Sequence, residues 1–255
     1  MTLLEAASAG VVQGITEFLP VSSSGHLVLL HAFFGFQEPT LLFDLFLHLG
    51  TLTAVVILFR KKILHFFTDE RKLLGFVVLG TLPTFAIGFL FRKVFEQFFT
   101  QPKVVGIGFL VSSLWLFLGE RFRPKEGKSL SWWRAILVGV SQGVAIVPGI
   151  SRSGATIATA LLCGLEGRLA VEYSFLLSVP AILGGFGYKL FSGRSSENVS
   201  SFLRGEGKAL AVGTILAMLV GLWAIRCITQ LAAKKRLYFF SLYLLILGAV
   251  TVFAV

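Results

Sequence analysis

Gln13-Gly14-Ile15-Thr16-Glu17-Phe18-Leu19-Pro20-Val21-Ser22-Ser23-Ser24-Gly25 aligns without a gap onto Gln142-Gly143-Val144-Ala145-Ile146-Val147-Pro148-Gly149-Ile150-Ser151-Arg152-Ser153-Gly154, at an offset of 129 residues. The alignment reads as an internal duplication, with halves at 1–128 and 129–255. Each stretch interrupts apolar sequence. Thr2 to Leu19 and Gly25 to Phe36 flank the first break, and Ser131 to Val147 and Gly154 to Leu165 flank the second. Both have the form of a re-entrant helix pair. Leu79-Gly80-Thr81-Leu82 also resembles Val212-Gly213-Thr214-Ile215, at a different offset.

Outward from these breaks the sequence is that of a lipid-embedded protein. Of 255 residues, 55% are hydrophobic and 14% charged, and the mean hydropathy is +0.84, values foreign to a soluble domain of this size. A spanning helix needs about 20 mostly apolar residues. Leu41 to Phe59, Leu73 to Phe91, Val104 to Gly119, Tyr173 to Phe191, Leu210 to Ile228 and Leu237 to Val255 approach that length, which predicts six spans, three after each break. The fold expected is therefore an all-α integral membrane protein with six spanning helices and two re-entrant pairs.

The net charge of +10 would suggest nucleic acid in a soluble protein, but the basic residues lie in short loops between apolar segments, where they set orientation. No nucleic acid partner is expected. Arg60-Lys61-Lys62 with Arg71-Lys72, then Arg121, Arg123, Lys125 and Lys128, then Lys234-Lys235-Arg236 are placed in the cytoplasm. Arg92-Lys93 and the lighter load of Lys189, Arg194, Arg204 and Lys208 fall outside. The two halves then run in opposite senses, an inverted-topology repeat whose broken helices meet near the midplane and form the binding site. The N-terminus has no basic region before its apolar stretch, so the first helix is expected to be retained. Cys163 and Cys227 read as packing residues.

Irregular backbone and ionisable groups at membrane depth imply function by default. Each Ser-x-Ser-Gly element opens a helix, where unpaired N–H groups favour an anion, so Ser22, Ser23, Ser24, Ser151, Ser153 and Gly154 form a candidate phosphate cradle. Arg152 adds a planar fork of donors for phosphate oxygens. A serine hydroxyl from Ser23 or a neighbour, the imidazole of His26 and the carboxylate of Glu17 are groups that hydrolysis requires. Gln13 and Glu17, four apart on one helix face, offer oxygen ligands to a hard divalent cation, Mg²⁺ or Ca²⁺.

The stretch Gln13 to Leu27 and the stretch Pro148 to Thr156 resemble the two signature motifs of the undecaprenyl-diphosphate phosphatase family of the bacitracin-resistance type. The likeness continues through Phe43 to Val55 and Glu172 to Pro180. It implies hydrolysis of undecaprenyl diphosphate to the monophosphate and inorganic phosphate, recycling the lipid carrier of peptidoglycan synthesis, with a divalent cation. It also implies the bacterial inner membrane and a site open to the outer face. The family's active-site residues correspond to Gln13, Glu17, Ser23, His26, Ser151, Arg152, Ser153 and Thr156. Gln13 stands where many members carry glutamate.

The reading favoured here has Arg152 and the N–H groups near Ser151 to Thr156 holding the diphosphate while Ser23, activated by His26, attacks the terminal phosphorus. Direct attack by His26, or by water with Glu17 as base, stays open. The bland alternatives are capping for the serines and a partner to a buried carboxylate for Arg152. His31, His48 and Asp44 read as packing or pore-lining residues, His65 as solvated, and Glu172 as a carboxylate favouring a helix start. The competing function is a polyprenyl-phosphate transporter or flippase, since inverted repeats with broken helices also build transporters. A homodimer is compatible with the small-residue helix faces.

Overall fold

A computed structural model of the chain describes residues 1–34, 41–98, 101–124, 127–191 and 199–254. Phe36, Lys125 and Arg194 lie outside the described residues, as do the side chains of His31, Lys189 and Arg204. Regular structure among the described residues is helical: α1 (Leu3–Thr16), α2 (Ser23–Phe34), α3 (Leu41–Leu64), α4 (Arg71–Leu90), α5 (Arg92–Phe98), α6 (Pro102–Arg121), α7 (Trp132–Val144), α8 (Arg152–Leu162), α9 (Gly167–Phe191), α10 (Val199–Ala233) and α11 (Tyr238–Ala254), with a single 3₁₀ turn at His65–Phe67.

Five stretches, Leu42–Phe67, Arg71–Leu90, Lys103–Arg121, Gly167–Tyr188 and Glu206–Ala233, are long and apolar enough to cross a membrane. The sixth expected span is α11, whose 17 residues rise about 25 Å, short of a hydrocarbon core of about 30 Å. The bundle turns large apolar side chains outward, among them Leu82, Leu114, Trp223, Ile246 and Phe253. Lipid satisfies them, and the helices satisfy their own backbone groups. This is a multi-pass, all-α membrane protein.

The two short helix pairs, α1–α2 and α7–α8, pack against the longer helices. α2 and α8 begin at Ser23 and Arg152, equivalent positions in the aligned stretches. α1 packs along α10, and α7 packs along α4. Glycine pairs set both approaches. A Cβ on Gly10 would fall 2.4 Å from the Gly213 carbonyl oxygen, and one on Gly139 would fall 1.9 Å from that of Gly80. Gly10 and Gly139 are equivalent at the 129-residue offset, and Gly80 and Gly213 lie in the second pair of resembling segments. Each broken helix is thus pressed, at the same point, against a long helix from the other half.

Beneath the breaks, Phe18 is fully buried and meets Phe175 of α9 edge-on, with ring centroids 5.2 Å apart. Val55 and Ala54 of α3 and Ala224 and Ile228 of α10 complete the same cluster. This packing holds the loop after α1 at a fixed depth.

Overpacking a close helix crossing costs about 1–3 kcal/mol. Gly139→Val and Gly10→Val are accordingly expected to lower the thermal unfolding midpoint in detergent by several degrees. Gly185→Ala, with nothing within 4 Å of its added Cβ, should leave the midpoint unchanged or raise it.

Candidate active site

The first break follows from Pro20, which supplies no N–H and disfavours helical backbone in the residue before it. The chain then turns through Ser22, whose φ of 71° is left-handed, a conformation costing a non-glycine residue roughly 1–2 kcal/mol. Local bonds offset that cost. Ser22 Oγ accepts from the Gly25 N–H at 3.4 Å, and His26 Nδ1 lies 2.8 Å from the Ser22 carbonyl oxygen, to which its N–H donates. The second break uses Pro148-Gly149. Gly149 has φ +85°, and a Cβ there would stand 2.1 Å from the Val105 carbonyl oxygen, so both backbone and space require glycine. Ser151 then caps α8, its Oγ accepting from the Gly154 N–H at 3.0 Å. Its own N–H donates to Ser112 Oγ at 2.8 Å.

The two breaks meet at Glu17, which is 5% exposed. An Arg152 Nη2–H donates to its Oε1. Its Oε2 accepts from Ser23 Oγ at 2.5 Å and from Gln13 Nε2 at 3.1 Å. Ser153 Oγ donates to the Leu19 carbonyl at 3.3 Å, tying one loop to the other. A buried carboxylate demands such compensation. Arg152 retains a buried Nη1 with no hydrogen-bond partner among the described residues, so one arm of its fork is held by Glu17 and the other is available.

These groups line a cavity of about 500 Å³, within the range of small-molecule sites. Glu17, Ser22, Ser23, Ser24, Ser151, Arg152 and Ser153 form its polar wall. Phe85 and Phe89 of α4, Ile146, and Ile182, Gly185 and Phe186 of α9 form an apolar one. Arg92, which lies over the Tyr188 ring at 5.8 Å, and Glu96 also line it.

Other expected residues lie behind this surface. Gln13 is fully buried and reaches the cavity through Glu17. The Gly154 N–H is engaged by the Ser151 cap. Thr156 is fully buried; its hydroxyl donates to the Arg152 carbonyl at 2.8 Å and lies 2.5 Å from Ser174 Oγ. It steadies the backbone that carries Arg152.

The structure does not bring His26 to Ser23. Its Nδ1 faces the Ser22 carbonyl and its Nε2 lies 2.7 Å from the Tyr243 hydroxyl of α11, so both ring nitrogens are engaged away from the cavity. The group beside the Ser23 hydroxyl is the Glu17 carboxylate. The imidazole in the cavity wall belongs to His48 of α3, with Nδ1 2.9 Å from Gln13 Nε2 and 3.5 Å from Glu17 Oε2. An ionisable side chain within an apolar helix was the available sequence signal.

A hard divalent cation takes oxygen ligands. Gln13 Oε1 is buried with no hydrogen-bond partner among the described residues and suits that role. The Glu17 oxygens already accept from Arg152, Ser23 and Gln13, and among the described residues no three His, Cys, Asp or Glu converge. Gln13 and Glu17 are the residues here that would hold such a cation.

The sequence model of the family described as "Bacitracin resistance protein BacA" matches residues 6–250. The chain belongs to this family. It is 43% identical over 252 residues to the protein of Carboxydothermus hydrogenoformans named undecaprenyl-diphosphatase, covering 97% of this chain and 95% of the relative. Relatives with the same name in Halothermothrix orenii and Desulforapulum autotrophicum are 38% and 36% identical, over 97% and 100% of this chain and 96% and 99% of their own. Both breaks and the whole cavity wall fall inside the BacA match.

Removing one member of a buried ion pair costs about 3–5 kcal/mol because the other charge is left uncompensated. Arg152→Ala should therefore destabilise the wild-type protein markedly and a Glu17→Gln background much less. A double-mutant cycle on the unfolding midpoint, with coupling of roughly 1–3 kcal/mol, checks this.

Proposed function

We propose that this chain is a membrane phosphatase that hydrolyses undecaprenyl diphosphate, the substrate named for its relatives, to undecaprenyl phosphate and inorganic phosphate. The observation that carries the reading is the 2.5 Å contact of Ser23 Oγ with Glu17 Oε2 in a cavity with one polar and one apolar wall. A carrier has no need of a hydroxyl held against a carboxylate. A diphosphate lipid needs both walls.

In the proposed reaction, the available Arg152 N–H and those first-turn amides of α2 and α8 that no cap engages hold the terminal phosphoryl group. Ser23 Oγ attacks its phosphorus as Glu17 takes the hydroxyl proton, and the bridging P–O bond breaks to release undecaprenyl phosphate. That leaving group takes the proton from Glu17. Water, deprotonated by Glu17, then displaces Ser23 from phosphorus to give inorganic phosphate and the free hydroxyl. Mg²⁺ or Ca²⁺, which Gln13 and Glu17 would hold, would supply charge neutralisation. His26 acts here by fixing the Ser22 turn, while water attack with Glu17 as base is the route to be distinguished.

The equivalent glycine contacts and helix starts support two inverted repeats, 1–128 and 129–255, with α1–α2 and α7–α8 as re-entrant pairs and α11 as the sixth span. Arg92 at the cavity and the cytoplasmic basic clusters at the other end of the bundle support an opening to the outer face of the bacterial inner membrane. The enzyme would thereby return the carrier to peptidoglycan synthesis and confer bacitracin resistance.

Phosphate release from undecaprenyl diphosphate, with Mg²⁺, Ca²⁺ or chelator, tests the reading. Wild-type protein should release phosphate, and Ser23→Ala and Arg152→Ala should lose about 10³-fold or more. Acid-stable phosphoserine in the quenched reaction identifies Ser23 as nucleophile; its absence, with residual Ser23→Ala turnover, assigns the attack to water. Gly185→Trp, which fills the open space beside α9, should raise KM for the long prenyl chain more than for a short-chain prenyl diphosphate.

A further inference from the structure

Resting on the phosphatase reading, we propose that Arg92 is the second phosphate clamp of this site, holding the lipid-linked phosphate of the substrate while Arg152 holds the terminal one.

A diphosphate has two phosphorus groups, and the polar wall accounts for one of them. Ser23 and Arg152, gathered around Glu17, stand where the phosphoryl group under attack would bind. The other phosphate lies between that group and the prenyl chain, so its donors belong on the wall that receives the chain. Among the described residues with which α4, α5 and α9 line the cavity, Arg92 is the one cation.

Position agrees with this role. Gly88, near the end of α4, is seated on the second break: a Cβ there would stand 3.1 Å from Ile146 Cδ1. Arg92 comes four residues later, about one turn. The Phe91 and Phe95 N–H groups donate to the Ile87 and Phe91 carbonyls, each at 3.0 Å, so the helical path carries on through the junction of α4 and α5. Arg92 is thus borne one turn past a residue packed on the loop that leads into Arg152.

Its donors are uncommitted. Glu96 Oε1 is 3.7 Å from Arg92 Nε, beyond hydrogen-bond reach, and the Tyr188 ring centroid lies at 5.8 Å. Among the described residues no acceptor takes a hydrogen bond from the guanidinium. An exposed i,i+4 ion pair contributes little, so Glu96 steadies Arg92 without claiming its fork. Topology does not account for the residue either: basic side chains are favoured on the cytoplasmic side, and in the proposed orientation Arg92 stands at the opposite end.

Its chemistry is electrostatic. As the bridging P–O bond breaks, its electron pair passes to the lipid-linked phosphate, and a guanidinium that stays charged throughout offsets the growing charge. No proton passes through Arg92; the leaving group still takes its proton from Glu17.

The test follows phosphate release from undecaprenyl diphosphate by wild type, Arg92→Ala, Arg92→Lys and Lys93→Ala in lipid-free detergent, together with inhibition by two anions. A short-chain prenyl methylenediphosphonate keeps both phosphorus groups and cannot be cleaved between them, whereas inorganic phosphate fills the terminal position alone. The Arg92 side chain is 42% exposed, so its variants should keep the wild-type thermal midpoint. With one charge-assisted hydrogen bond gone, Arg92→Ala should lower kcat/KM by about 10- to 100-fold and weaken the diphosphonate by a similar factor. Inhibition by inorganic phosphate should stay within about twofold of wild type. Arg92→Lys, a point charge without the fork, should fall between. Lys93 is exposed and does not line the cavity, so Lys93→Ala removes the same charge one residue away and should change neither anion. Wild-type diphosphonate inhibition in Arg92→Ala would overturn the proposal. So would equal losses for both anions, which would put Arg92 on the terminal group, or equal losses in Lys93→Ala, which would reduce it to surface charge. An effect that appears only when phosphatidylglycerol is added would assign the guanidinium to a bilayer headgroup instead. Wild-type protein that releases no phosphate would overturn the phosphatase reading itself, a result distinct from an active wild type with an indifferent Arg92→Ala.

Discussion

The ion pair of Glu17 with Arg152 is the constraint on which the site depends. A carboxylate cannot remain charged in this interior without compensation, and the compensating guanidinium comes from a residue 135 positions away in the other half of the chain. Fixing Glu17 fixes the Oε2 that orients Ser23, while the Ser153 hydroxyl on the Leu19 carbonyl holds the loops in register. The same pair leaves the second arm of Arg152, at the cavity wall, without a hydrogen-bond partner among the described residues. Structural partner and phosphate donor are two arms of one planar group, so the two readings of Arg152 from sequence describe a single residue doing both.

Much of this was legible in the sequence because its physical causes are local. A proline in each break and serine caps at the equivalent positions 22 and 151 announce two helix breaks, and lipid as solvent makes the polar groups there conspicuous. Glu17, Ser23, Ser151, Arg152 and Ser153 could be placed in one site on those grounds. The two imidazoles could not. Whether His26 turns toward Ser23 or toward the Ser22 carbonyl depends on Tyr243 of α11, 217 positions away, and no spacing within the motif encodes that. His48 lies outside both motifs and enters the site only because Gly50 lets α3 settle against α10. The motif names a loop, whereas the inventory of the site is set by helix packing.

The depth of the breaks follows from the same economy of small residues. Four glycines at two crossings let α1 and α7 lie closer to their partner helices than any side chain would permit. In lipid, where apolar surface gains nothing by avoiding its solvent, this close contact is the principal source of helix association.

The crossed pairing also governs what happens during synthesis. Gly10 emerges about 200 residues before Gly213, and Glu17 emerges 135 residues before Arg152. At roughly 5–20 residues per second, the carboxylate waits about 7 to 27 seconds for its counter-charge. Over that interval α1 lacks α10, the helix it packs along. The nascent first half is therefore a substrate for whatever shelters unassembled helices at the insertion site, and the ribosome must carry the chain through α8 before the centre of the molecule can close.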